Sequence, residues 1–276
     1  MRVAPTVFRD PATLGRVLAA DIAEGIEAAA REGRRYVLGC PGGRSAHSTY
    51  GALAGEVALR GLHLGHVVIV MMDEYVEPDP GTGAYRRIDA GLPHSCARFG
   101  RREIVEPLDA AAGPGRGIAP AHFLVPDPAE PSGYDRRIAE LGGIDLFLLA
   151  SGAGDGHIAF NPVGTAPDAG THVVALTEQT RTDNLATFPS FRGLSDVPRH
   201  GVTVGIGTIR VHSRRVVMVA HGTDKARAVS RLAAADHYEP DWPATVFTDC
   251  AQPRLYVDEA ARTAAAALAA SAPTSA

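Results

Sequence analysis

In the stretch DLFLLASGAGDGHIAFN, from Asp145 to Asn161, a carboxylate and an imidazole stand two residues apart, Asp155 and His157, with Gly156 between them. A carboxylate beside a histidine orients the ring and stabilises its charged form, an arrangement suited to moving protons at a substrate. Nothing about packing demands glycines at 152, 154 and 156. They let a substrate lie against the backbone, with Gly154 among the residues expected to touch it. A dinucleotide fingerprint would need glycine where His157 stands, so no cofactor is implied.

MMDEY is a second stretch with chemistry in it. Asp73 and Glu74 follow six apolar residues, so at least one carboxylate sits at a strand end, where burial can raise its pKa toward the working range of a base. The plain alternative is a helix cap or a turn former. The third stretch is GCPGGRSAHST. Gly42 and Gly43 allow close approach of backbone to an anion, while Ser45, Ser48 and Thr49 suit helix capping and hydroxyl donation. That fits a phosphate site, and it also fits an ordinary strand-to-helix turn. It is not a Walker A loop, because the glycine spacing is short and Arg44 stands where a lysine would be needed. HLGH at 63–66 offers two histidines without a third ligand, so no metal is expected, and no G-x-S-x-G elbow occurs.

These stretches need a scaffold that brings them together. Residues 11–32 carry Leu14, Val17, Leu18, Ile22 and Ile26 at helical spacing. YVLG, VVIVMMDEY, IDLFLLAS, VVAL, VTVGIGTI, RRVVMVAHG and PRLYVDEAA read as strands, several apolar on both faces and separated by helical stretches. A parallel sheet covered on both sides requires that pattern. The expectation is α/β, a single three-layer α/β/α Rossmann-like domain over residues 1–276 with a mostly parallel sheet. In such sheets ligands bind at the carboxyl ends of the strands, and the three stretches fall there. Residues 76–100 and 109–133 read as surface excursions or a lid, and 260–276 as a helix fraying into a flexible tail.

Composition narrows the function. The chain has 276 residues, 45% hydrophobic, enough for a sizeable core. Its 27 basic and 31 acidic residues give a net charge of -4 without a basic cluster, which disfavours nucleic acid. Three well-separated cysteines, Cys40, Cys96 and Cys250, suit a reducing cytoplasm better than a disulfide framework. No window is apolar enough to span a membrane.

Taken in order, VLGCPGG with STYGAL, VVIVMMDEYV, IDLFLLASGAGDGHIAFN, TRTDN, VTVGIGTI, HGTDKA and RLYVDEAA resemble the glucosamine-6-phosphate deaminase/isomerase family, which shares its fold with 6-phosphogluconolactonases. Ile158 to Asn161 favour the aminosugar branch. The resemblance implies a soluble enzyme that needs no cofactor and acts on a small sugar phosphate, with a homo-oligomer left open. It implies Asp73 as the base at sugar carbon 2, and His157, oriented by Asp155, as the group that assists ring opening. Phosphate would rest on Gly43 and Ser45, with Arg181 and Lys225 supplying charge. Gly42, Arg44 and Glu74 complete the expected substrate contacts.

Two departures stand out. The deaminases place a glutamate after the asparagine, where this chain has Pro162, and a second glycine where it has Arg44. Proline carries no proton. Two outcomes of carbon 2 proton removal are therefore weighed equally: deamination with isomerisation of glucosamine 6-phosphate, or loss of water, a lyase reaction, from N-acetylglucosamine 6-phosphate. A non-catalytic sugar-phosphate sensor is the alternative, although no helix-turn-helix precedes residue 35, and a 6-phosphogluconolactonase ranks below it.

Overall fold

The computed structural model describes residues 2–271. Along the chain, β1 (Pro5–Phe8) leads into α1 (Pro11–Arg31), β2 (Tyr36–Cys40) into α2 (His47–Arg60), and β3 (Val67–Met71) into β4 (Asp73–Pro78) and β5 (Tyr85–Arg87). Then α3 (Cys96–Phe99), a π-helical turn and α4 (Glu106–Ala112) precede β6 (Phe123–Leu124), α5 (Pro131–Glu140) and β7 (Leu146–Ala150). The chain continues through β8 (His172–Ala175), α6 (Glu178–Thr187), β9 (His200–Thr203) and α7 (Ile206–His212). It ends with β10 (Val216–Ala220), α8 (Ala226–Ala234), β11 (Pro253–Asp258) and α9 (Glu259–Ser271).

Seven strands form a parallel sheet in the order β1-β11-β10-β7-β2-β3-β6. Its strands are apolar on both faces because each face meets helices. Along β7, Leu146 and Leu148 pack with Leu18 and Ile22 of α1 and Leu53 of α2, whereas Phe147 and Leu149 pack with Ile138 of α5, Ile209 of α7 and Leu232 of α8. This is a three-layer α/β/α Rossmann-like fold. Local signals agree with it: Asp10 caps α1 by accepting from Thr13 N at 2.7 Å, and Pro11 opens the helix.

Four strands depart from the parallel expectation. β5, β4, β9 and β8 make a small antiparallel sheet. The run VVIVMMDEY is therefore not one strand: it leaves the main sheet at Met72 and enters the second at Asp73. VTVGIGTI likewise ends as a strand at Thr203, and its second half starts α7 after Gly205. Residues 76–100, expected as a surface excursion or a lid, form the edge of the second sheet and α3. Residues 260–271 of the expected helix and tail are helical, with Ala261 and Ala265 buried on the core. Its remainder, 272–276, lies outside the described residues.

In the middle of the sheet, β2 and β7 approach so closely that a Cβ on Gly39 would run into the ring of Phe147. Overpacking of this kind costs about 1–3 kcal/mol. Gly39→Ala should lower the urea midpoint accordingly with an unchanged slope.

Candidate active site

At the carboxyl ends of β2, β3, β7 and β10 lies a cavity of about 600 Å³. Its base candidate is placed by the crossing between sheets. Met72 N donates to Cys40 O at 3.2 Å on the main sheet, and Val204 N donates to Met72 O at 2.8 Å from the second. Asp73 follows at once, 7% exposed, with its side chain on the cavity. Burial pushes its carboxyl up to about 7; the Cys96 thiol hydrogen bond pulls it down, the Glu74 charge pushes it up, and His157 pulls it down. A carboxylate poised near neutrality is suited to take and return a proton.

The DGH loop faces it. His157 Nδ1 and Asp155 Oδ1 are 2.7 Å apart, and the same oxygen accepts from His157 N at 3.1 Å. Burial works against the Asp155 anion, but the hydrogen bond and charge of His157 outweigh it and hold the carboxyl below its usual value. The pairing leaves Nε2 as the ring nitrogen available to a ligand. Against the sequence expectation that packing demands none of these glycines, it demands two of them. A Cβ on Gly152 would strike the His157 ring, and Gly156 takes φ +69° with its Cα against the Trp242 indole. Trp242 is 2% exposed and lies beneath the guanidinium carbons of Arg227 and Arg231 at 5.2 and 5.5 Å; two residues on, Ala244 N donates to Gly156 O at 2.8 Å. The loop thus rests on a rigid floor.

The other end of the cavity is cationic. Gly42, Gly43, Arg44 and Ser45 line it after β2, and His221 and Lys225 line it after β10. Lys225 Nζ donates to Ser151 O at 2.8 Å, and His221 Nε2 lies 3.2 Å from Ser45 O. Burial lowers the Lys225 ammonium below its ordinary value, against opposing pulls from Asp224 and Asp183. The serines do not cap α2 as expected: Ala46 is the N-cap, no side chain caps the helix, and Ser48 Oγ and Thr49 Oγ1 are buried without a partner. The positive end of α2 therefore points toward the loop uncapped.

Glu74 is placed elsewhere than on the substrate side. Neighbours along a strand point to opposite faces, and its carboxylate, 1% exposed, accepts from Tyr75 N (2.8 Å), Cys96 N (2.9 Å), Ser95 Oγ (2.7 Å) and Ala97 N (2.8 Å). It anchors the start of α3 and holds Cys96 in the cavity wall. Arg181 also turns away, donating to Leu194 O and Val197 O. It pins the loop behind α6 and does not reach the anion end. Gly154 packs near Gln179, just beyond the lining. The structure adds Asp183, Asn184 and Thr187 from α6, Cys96 and His221. Asp183 and Asn184 sit in the TRTDN stretch; Cys96 had no signal. Among the described residues, Asp155, His157 and Asp183 also form a grouping with ligand atoms all within 4.8 Å, and the HLGH histidines line a separate open hollow at the opposite end of the sheet.

The profile of glucosamine-6-phosphate isomerases/6-phosphogluconolactonase matches residues 9–257. The chain belongs to this family. It is 36% identical over 265 residues to a glucosamine-6-phosphate deaminase of Rhodococcus opacus, covering 92% of this chain and 90% of that one. With the deaminase of Rhodococcus jostii it shares 37% over 247 residues, 88% and 85% of the two chains. Among solved structures, a monomeric glucosamine-6-phosphate deaminase superposes with TM-score 0.81 at 25% identity, over 95% of this chain and 99% of that one. A 6-phosphogluconolactonase from Trypanosoma cruzi follows at 0.67 and 18%, over 95% and 97%, a likeness of fold. No described helix is long and apolar enough to cross a membrane.

The raised pKa of Asp73 has a signed consequence. Between about pH 4 and 7 the folded chain holds a proton that the unfolded chain has lost, so this group's contribution to stability falls as pH rises. Asp73→Asn should melt at a higher temperature than the parent at pH 8 and show a smaller difference at pH 4. If Asp73 is the base, the acid limb of kcat/KM lies near pH 7, and Cys96→Ala, which removes a donor to the carboxylate, moves it upward.

Proposed function

We propose that the protein is an aminosugar-6-phosphate enzyme, acting by ring opening and proton abstraction at carbon 2, with deamination and isomerisation of glucosamine 6-phosphate as the overall reaction. The observation that carries this reading is the shared cavity: Asp73, raised to about 7, opens into the same space as the Asp155–His157 pair and Lys225. Family relatives of the same extent are glucosamine-6-phosphate deaminases, which supports this reading. The phosphate binds between the Gly42–Ser45 loop, Arg44 and Lys225. His157, held by Asp155, moves a proton at the ring oxygen so that carbon 1 becomes an aldehyde. The carbon 2 hydrogen is then adjacent to a carbonyl, and Asp73 takes it. Return of the proton to carbon 1 leaves an imine at carbon 2, which water hydrolyses to the ketose phosphate and ammonia.

One residue favours a second outcome. Pro162 follows Asn161 directly, where the family resemblance implies a protonatable glutamate, and it offers no proton for carbon 1. With an acetylated nitrogen the carbanion formed by Asp73 does not proceed to a hydrolysable imine. It expels the carbon 3 hydroxyl, which takes up the proton that Asp73 removed and departs as water, leaving a carbon 2–carbon 3 double bond. N-acetylglucosamine 6-phosphate is the substrate of that reading.

Incubation with each sugar phosphate separates the outcomes: ammonia from glucosamine 6-phosphate, or a product lighter by one water from its acetylated form. Asp73→Asn should lower turnover of whichever is the substrate by about 10²–10⁴-fold. Product from neither sugar would defeat both outcomes, and an unchanged turnover in Asp73→Asn would defeat the assignment of the base.

A further inference from the structure

Ring opening moves two protons, one away from the anomeric hydroxyl and one onto the ring oxygen, and of the Asp155–His157 pair only His157 lines the cavity. Asp155 sits behind it, its Oδ1 meeting both the ring and the backbone N–H of His157. A second carboxylate comes from a different element. Asp183, on α6, lines the cavity, and its carboxylate, a ring nitrogen of His157 and a carboxylate oxygen of Asp155 all lie within 4.8 Å of one another.

We infer that Asp183 is a catalytic residue for ring opening, accepting the anomeric hydroxyl proton while His157 delivers a proton to the ring oxygen. The inference rests on the aminosugar-phosphate reading above. Distance supports it. The Asp183 carboxylate and the His157 imidazole line one cavity and lie close enough together to address the two oxygens borne by one carbon, O1 and O5 of the sugar. The electrons balance: the O1–H pair becomes the second C1–O1 bond, the C1–O5 pair moves onto O5, and His157 protonates O5. Asp183 ends protonated and His157 neutral. Their proximity lets the proton pass back for the next cycle.

α6 is held in the position this requires. Thr177 caps it by accepting from Thr180 N at 3.1 Å, and Arg181 ties it to the carbonyls of Leu194 and Val197. Gln179 Nε2 donates to Asp183 Oδ1 at 2.9 Å, one turn away on the same helix, which orients the carboxylate. Asp183 is half-buried and enters none of the core clusters, so replacing it leaves the fold intact.

The test isolates ring opening from later chemistry. In an Asp73→Asn background glucosamine 6-phosphate is not consumed, and interconversion of its anomers is followed by NMR magnetisation exchange. Asp73→Asn protein should accelerate that exchange. The Asp73→Asn/Asp183→Asn protein should retain about a tenth of the acceleration or less, with affinity for the sugar phosphate within about threefold, because general acid–base groups contribute about 10²–10⁴-fold. Asp183→Glu, which keeps the carboxylate on a longer arm, should recover part of the loss. Equal exchange rates with and without Asp183 would overturn the inference and leave the function standing. The inference also fails if wild-type protein turns over the sugar while Asp73→Asn does not accelerate its anomers. A divalent-ion requirement of the wild type that Asp183→Asn and His157→Asn both abolish would instead make the three side chains ion ligands. Absence of both turnover and anomer exchange would remove the proposed function itself.

Discussion

The site depends on a single-residue crossing between two sheets. Met72 is hydrogen-bonded to β2 through its N–H and to Val204, just beyond β9, through its carbonyl, so the chain passes from a parallel to an antiparallel sheet without a loop. That constraint puts the next side chain at the carboxyl end of β3 and seals it away from water. The raised carboxyl of Asp73 follows from this placement, since desolvation is the largest cause of its shift. A longer connection would have let water reach the carboxylate and returned it to the ordinary acidic range.

Around that fixed point the walls have different origins. The DGH loop is a tight turn closed by Gly152 N to His157 O at 2.7 Å and floored by the Trp242 indole. Arg227 and Arg231 come from α8, whose N-terminal boundary is Lys225, so the ammonium in the cavity and the guanidinium groups over the Trp242 ring are carried by one helix. The opposite wall is α6, carried on the segment between β8 and β9, neighbouring strands at one edge of the second sheet.

Local spacing made some of this legible from the amino acids. Asp155 and His157 are two apart, and a carboxylate ending an apolar run marks Asp73. The parallel sheet followed from strands apolar on both faces. Pairings set by topology were not legible. Glu74 looks equivalent to Asp73 in sequence, but strand alternation turns it to the α3 terminus, where four donors consume its oxygens. Arg181 has the charge for an anion, yet two backbone carbonyls claim its guanidinium first. Asp183 is 26 positions from His157 in the chain and meets it only because α6 folds over the cavity. VVAL and VTVGIGTI read as strands, but the antiparallel pairing of β8 with β9 was hidden because strands of four residues carry no mark of direction.

Thr182, Ala186 and Thr187 line the cavity from α6, while none of them joins a hydrophobic cluster. Residues that line the cavity without supporting the core can change at little cost to the fold. Evolution can thus recut this wall around Asp183 for a ligand of different shape, keeping the carboxylate at position 73 and the scaffold behind it as they are.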